Sequence, residues 1–285
     1  AFCSYTGKGA LVLRNYLAEN LSKYPQDFVG TIHSLIYSPL LNSKGQIVSW
    51  TKKDELKVDL IIIDEASMID QQIWIDLISF GVPILAVGDH GQLPPINGSF
   101  NLMEKPNITL NKIHRQAENN PIIKISVFAR EEGKIPAQNY GRDIFKISNL
   151  DFDYNDKLNE ALNAHSKETL ILCGFNSTRV KINNYMRVNK GIESEEPISS
   201  DRIICLRNNH KANIFNGMLG DIRNIKKSGN DLYELSVKFD DGTLYDGISY
   251  KGQFNNKEAI NYTDQRLKAG HADLFDFGYA ITVHK

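Results

Sequence analysis

The chain has 285 residues, 41% hydrophobic and 24% charged, the make-up of an ordinary globular protein with room for about two domains. Lys plus Arg number 33 against 34 Asp plus Glu, a formal net charge of −1, which excludes a uniformly basic, histone-like nucleic-acid binder but leaves room for a groove lined locally with cations. No apolar run reaches the ~18–20 residues that cross a bilayer, no secretory leader opens the chain, and Cys3, Cys173 and Cys205 form no Cys-x-x-Cys pair, so a cytoplasmic protein with reduced thiols and no membrane partner is expected.

Taken in chain order, residues 1–5 are apolar enough for the end of a strand, and 9–21 carry Leu13, Tyr16, Leu17 and Leu21 at helical spacing. Residues 40–50 hold Asn42-Ser43-Lys44-Gly45 at their centre and read as a hairpin or as a plain surface loop. Residues 58–63 are a nearly continuous apolar run ending at Asp64, as suits a strand buried on both faces of a parallel sheet. A helix over 73–80 and a second buried strand over 82–87, ending at Gly88-Asp89, complete an α/β pattern. Such a domain carries its site at the carboxyl edge of its sheet. Residues 118–132 read as helix, and 134–150, with Pro136 and Gly141, as linker. A second alternation follows: helix over 158–165, strand over 169–173, helix over 178–188, strand over 202–206. From Gly220 short strand-like runs at 221–227, 232–239 and 243–245, with a turn at Asp240-Asp241-Gly242, predict a small inserted antiparallel barrel before a buried strand resumes over 275–283.

Residues 60–65 read Leu-Ile-Ile-Ile-Asp-Glu. A buried strand that delivers Asp64 and Glu65 to a sheet edge offers one carboxylate for Mg²⁺ on a triphosphate and one to orient or deprotonate water; two solvated carboxylates would read the same. Gly88-Asp89-His90-Gly91-Gln92-Leu93-Pro94-Pro95 follows the next strand, and Gln92 there can donate to a γ-phosphate or sit in an ordinary turn. Thr6-Gly7-Lys8 lies at a helix start, where free N–H groups and the dipole favour an anion. It lacks the spacing of a phosphate-binding loop, so a DNA phosphate is the better candidate. Thr31-Ile32-His33-Ser34 offers hydroxyls and a ring nitrogen, or simply a helix cap. Arg115, in Ile113-His114-Arg115-Gln116, can stabilise charge on a transferring phosphoryl group or be a surface residue.

Together, and in this order, these segments resemble the RecD-like, 5′-to-3′ group of superfamily 1 DNA helicases, which includes the phage Dda enzymes. Residues 1–10 look like motif Ia, 31–37 like the DNA-contact motif after it, 63–68 like motif II, 88–95 like motif III and 110–116 like motif IV. Asn216-Gly217-Met218-Leu219-Gly220 resembles the lead-in to the family's SH3-like insertion, and 278–285 the start of a motif that continues Ser-Gln-Gly. The resemblance implies an α/β fold of two RecA-like P-loop NTPase domains with ATP and Mg²⁺ between them. The first would span 1–135 with a hairpin insertion at about 38–54, followed by a linker at 136–150. The second would span 151–285 with the insertion at about 218–272. Asp64, Glu65, Gln92 and Arg115 would be catalytic, Asp64 the Mg²⁺ ligand, and Gly88 and Asp89 further nucleotide contacts. DNA would meet Thr6, Gly7, Lys8, Thr31, His33, Ser34, Pro94, Pro95, Asn176, Thr282, His284 and Lys285. The implied protein is a monomer of a bacterial or phage-infected cell that acts on single strands and single/double-strand junctions, with replication or recombination proteins as partners. The hairpin would act as a pin that splits the duplex. A translocase, a subunit of a recombination nuclease complex without unwinding of its own, and an inactive binding module are the alternatives. The family's phosphate-binding loop would precede Ala1 and Ser-Gln-Gly would follow Lys285, so the chain is expected to be cut at both ends and, alone, to bind and hydrolyse ATP poorly.

Overall fold

The computed structural model describes the chain except for residues 21–23, 42–46, 93–94, 96–99, 111–119, 142, 259–271 and 284–285. It divides into two compact units, Ala1–Tyr154 and Asn155–Lys285.

The first unit begins with β1 (Phe2–Ser4), α1 (Gly7–Glu19), β2 (Val29–Thr31), α2 (Ile32–Ile36), β3 (Tyr37–Leu41) and β4 (Ile47–Lys52). It continues with β5 (Ile61–Asp64), α3 (Gln71–Ile78), β6 (Ile84–Ala86), α4 (Pro121–Val127), β7 (Asn139–Gly141) and β8 (Ile144–Phe145). Four strands form a wholly parallel sheet in the order β2-β1-β5-β6. Cys3, Ile61 and Ile63 pack with Ile32, Leu35, Ile36 and Leu77 into the core on one face. The expectation of strands buried on both faces holds for that face only, because Leu60, Leu85 and Val87 alternate to the other side and remain 41%, 53% and 51% exposed. The helices start where the sequence supplies caps. Thr6 accepts from Gly9 N–H, Asp70 from Ile73 N–H and Asn120 from Ile122 N–H, the last with Pro121 at the first helical position. α4 runs on into a π-helical turn, Phe128–Glu132. Residues 136–150, read from sequence as linker, fall in this unit and carry the β7–β8 hairpin.

The second unit comprises α5 (Tyr154–Asn163, whose first residue closes the first unit), β9 (Ile171–Cys173), α6 (Asn176–Asn189), β10 (Arg202–Cys205), β11 (Leu219–Ser228), β12 (Leu232–Phe239), β13 (Leu244–Tyr250), β14 (Phe275–Phe277) and β15 (Ala280–Thr282). β9 and β15 pair in parallel, and the rest form an antiparallel sheet ordered β13-β12-β11-β10-β14. This sheet is wider than 218–272, because β10 and β14 join it rather than the parallel layer. The apolar run expected over 275–283 breaks at Gly278. The Gly278 N–H donates to Arg202 O at 2.9 Å, and a Cβ there would lie 2.6 Å from the Ile203 carbonyl carbon. Only glycine lets the chain pass so close and switch sheets. Gly242, at φ +88°, closes the predicted β12–β13 turn.

Two arginines of α6 enter the interior. Arg179 pairs with Asp276 of β14 at 2.5 Å, both side chains 1% exposed, and Arg187 pairs with Asp201 just before β10. Among the described residues no helix is long and apolar enough to cross a membrane, and Cys3, Cys173 and Cys205 are free and buried.

Candidate functional site at the carboxyl edge of the first sheet

All four strands run the same way, so their carboxyl ends share one edge. Register sets Ser4 opposite both Thr31 and Asp64, and Ile63 opposite Ala86. From one side to the other the edge presents Thr31 to Ser34, then Thr6 to Lys8, then Asp64-Glu65, then Gly88 to Gln92.

Asp64 is the exposed last residue of β5, and its Oδ1 accepts from Glu65 N–H at 3.0 Å. Glu65 takes the left-handed conformation, φ 57° and ψ 44°. For a residue with a Cβ this conformation stores strain of order 1–3 kcal/mol, the kind that clusters at working sites. The chain then drops into a 3₁₀ turn, Ala66–Met68, whose Ala66 N–H donates to Val87 O at 3.0 Å. That bond holds the end of β6 beside the acidic pair. Packing there is tight: a Cβ on Gly88 would meet Met103 Sδ at 2.7 Å and Ser67 N at 3.0 Å.

Asp89 turns inward on its own loop. Its Oδ1 accepts from Gly91 N–H at 2.9 Å and its Oδ2 from Arg130 Nη2 at 2.7 Å, while Gln92 N–H donates to Asp89 O at 3.1 Å. Both Asp89 oxygens are thus engaged in shaping the loop that presents the exposed Gln92. Sequence reading missed Arg130, which lies 41 positions away in a polar helical stretch with no motif around it. Among the described residues no three His, Cys, Asp or Glu side chains converge to hold a metal alone. One exposed carboxylate at a sheet edge still fits Mg²⁺, which is usually held by one or two carboxylates and completed by phosphates and water.

Beside this lie the residues read as DNA contacts. Thr6 caps α1, Gly7 is buried at its start and Lys8 is exposed. Thr31 caps α2: its Oγ1 accepts from Ser34 N–H at 3.2 Å, and Ser34 Oγ donates to Thr31 O at 2.8 Å. His33 lies against the rings of Tyr37 and Trp50 at 4.5 and 4.7 Å. Burial lowers its imidazole pKa below the usual value. Pro95 is buried. In the second unit Asn176, at the start of α6, and Thr282, at the end of β15, meet at the carboxyl edge of the parallel pair, where Cys173 lies opposite Thr282. Thr282 Oγ1 and Asn176 Oδ1 are buried without hydrogen-bond partners among the described residues, so both have bonding capacity to spare. Pro94, Arg115, His284 and Lys285 lie outside the described residues.

A family model described as an AAA domain matches residues 1–98, the stretch that holds β1 to β6 and the acidic pair. The ATP-dependent RecD2 DNA helicase of Deinococcus radiodurans is 25% identical over 304 residues, covering 99% of this chain and 36% of that protein. The RecBCD enzyme subunit RecD of Buchnera aphidicola is 33% identical over 89 residues, covering 30% of this chain and 14% of that protein. By these two matches the chain is similar to RecD-like DNA helicases. It spans well under half the length of these RecD-like relatives. The fold is shared with the Bacteroides Pif1 helicase. The structure in complex with ADP-AlF3 and single-stranded DNA has a TM-score of 0.53 at 17% identity, and the single-stranded DNA complex 0.53 at 18%, each covering 99% of this chain and 78% of Pif1.

Proposed function

We propose that this protein supplies the core of an ATP-driven motor that moves 5′-to-3′ along single-stranded DNA and separates duplex ahead of it. The observation that carries the reading is the single sheet edge on which Asp64-Glu65 and Gly88–Gln92 stand beside Thr6–Lys8 and Thr31. Asp64 would hold Mg²⁺, and Glu65, set by its left-handed backbone, would orient the attacking water and take its proton. Gln92 would donate its amide to the terminal phosphate, and Arg115 would oppose the charge that develops there. ATP, once bound, supplies the anhydride whose cleavage drives the cycle. Thr6, Lys8, Thr31 and Ser34 in one unit, and Asn176 and Thr282 in the other, would engage the DNA backbone through hydroxyl, amide and N–H groups. One relative's name, ATP-dependent RecD2 DNA helicase, supports both halves of this reading, and Pif1 has been solved with a nucleotide analogue and single-stranded DNA.

The match to a RecBCD subunit favours one second reading: a translocating subunit that unwinds only within a recombination complex. One experiment separates the possibilities. In the intact protein, ATPase is measured with and without single-stranded DNA, and strand displacement on forks with 5′ or 3′ tails. Stimulated hydrolysis with displacement from 5′ tails is expected. Stimulated hydrolysis without displacement selects the subunit reading, and ATPase indifferent to DNA overturns both.

A further inference from the structure

The hairpin β3–β4 grows out of α2 with no loop between them, since Ile36 ends the helix and Tyr37 begins the strand. Its root is pinned on two sides. Tyr37 Oη donates to Asp76 of α3, Lys52 Nζ donates to Ser79 Oγ at 2.8 Å and sits 5.4 Å over the Phe80 ring, and Lys53 Nζ donates to Leu35 O at 2.7 Å. These contacts stop at the first rung, where Tyr37 faces Lys52. Pro39 faces Trp50 two rungs further out, which puts Tyr37, Pro39, Trp50 and Lys52 on one face of the ribbon. Of the contacts named, only the His33 ring reaches that far, 4.5 Å from Tyr37 and edge-on to Trp50 at 4.7 Å.

We infer that His33 is a positioning residue: it props the hairpin at Trp50 and so sets the hairpin's pitch on α2, instead of contacting a DNA phosphate. This rests on the proposal that the hairpin separates the duplex. Thr31 and Ser34 on either side of His33 bond to each other across the helix start, so the segment offered to DNA and the prop for the hairpin are one rigid turn. A shift of the strand on α2 is thereby passed to the hairpin through a ring contact. The lowered pKa leaves the imidazole neutral near pH 7, with no charge for a phosphate.

The test compares His33→Ala, His33→Phe, Trp50→Ala and the double variant His33→Ala/Trp50→Ala in the intact protein. Strand displacement, single-strand affinity and DNA-stimulated ATPase are each read. His33→Ala and Trp50→Ala should lower displacement about tenfold, the equivalent of about 1.4 kcal/mol and the scale of one aromatic contact. Affinity and ATPase should stay within about twofold, and the double variant should be no worse than either single, as expected of one shared contact. His33→Phe keeps the ring, loses both nitrogens and should unwind like the wild type. A His33→Phe protein as defective as His33→Ala would overturn the inference, because the nitrogens would then matter. So would His33→Ala that unwinds normally, or that loses affinity and displacement together. Should His33→Ala fail to fold, His33→Phe and Trp50→Ala decide alone by the same criteria. A wild-type protein that hydrolyses ATP and displaces no strand sinks the hairpin reading itself, which is a different result.

Discussion

Asp201→Asn removes one charge from the most completely bonded group in the interior. Arg187 Nε and Nη2 donate to Asp201 Oδ1 and Oδ2 at 3.0 and 3.1 Å, Nη1 to Ser194 O at 2.6 Å, and Nη2 to Glu196 O at 2.8 Å. Asp201 also accepts from Tyr279 Oη at 3.0 Å and Ile198 N–H at 2.8 Å, and the guanidinium lies 4.1 Å from the Phe277 ring centroid. The two side chains are 3% and 0% exposed. Asparagine keeps the shape but turns one acceptor into a donor aimed at Arg187, which cannot shed its proton. A stranded buried charge costs about 3–5 kcal/mol. For a unit of this size that is a fall in melting temperature on the order of 10–20 °C. Far-UV circular dichroism follows both units, whereas the two tryptophans, Trp50 and Trp74, belong to the first. Thermal unfolding of the variant should lower the circular-dichroism transition, with tryptophan emission reporting the first unit separately. Arg187→Lys, which keeps the charge but loses the fork and the ring stacking, should fall between wild type and Asp201→Asn. An Asp201→Asn protein within about 1 kcal/mol of wild type would show that water or rearrangement satisfies the arginine, contrary to the reasoning.

Two further outcomes are expected. Glu65→Gln in the intact protein should cut hydrolysis by about two to four orders of magnitude while ATP affinity holds, as loss of a general base predicts; unchanged turnover in a steady-state assay would remove Glu65 from that role. Glu196 is held below its ordinary pKa of 4.5 by hydrogen bonds from Lys227 and then Lys251, so it stabilises the fold above pH 4.5 and loses that contribution as acid protonates it. The melting-temperature gap between wild type and Glu196→Gln should therefore be open at neutral pH and close as pH falls through the depressed pKa, and a gap that is constant with pH would assign the defect to packing.

The sheet edge was legible because it is written locally. An apolar run stopped by Asp64-Glu65, and a second stopped by Gly88-Asp89, mark strand ends without any knowledge of partners, and β5 and β6 lie where those runs predict. The hairpin was legible for the same reason, its turn residues falling between β3 and β4. What failed was pairing at a distance. Residues 202–205 and 275–277 read as strands, but apolar content does not encode which neighbour they meet, and their antiparallel Ile203–Phe277 pairing spans a long separation. The buried pairs failed likewise: Arg179 and Arg187 sit in a polar-looking helix, α6, and their partners Asp276 and Asp201 lie on other elements. Arg130 is the same case at the site itself, invisible until the fold sets it on Asp89.

The charge of the edge makes a last prediction. Of the residues proposed to touch DNA in the two units, Thr6, Thr31, Ser34, Asn176 and Thr282 are uncharged and Lys8 alone among the described ones is a cation. Each phosphate neutralised on a single strand adds about −0.7 to the slope of log affinity against log salt. One or two cations therefore predict a slope of roughly −0.7 to −1.4, whereas a basic groove engaging six phosphates would give about −4. Fluorescence anisotropy of labelled single-stranded DNA, titrated across a range of salt with the intact protein, reads the slope directly. A shallow slope fits a grip made of hydroxyls and amides, from which a strand can be released stepwise without shedding strong ion pairs. A slope steeper than about −3 would mean that cations elsewhere carry the binding and that the sheet edge is not the main contact.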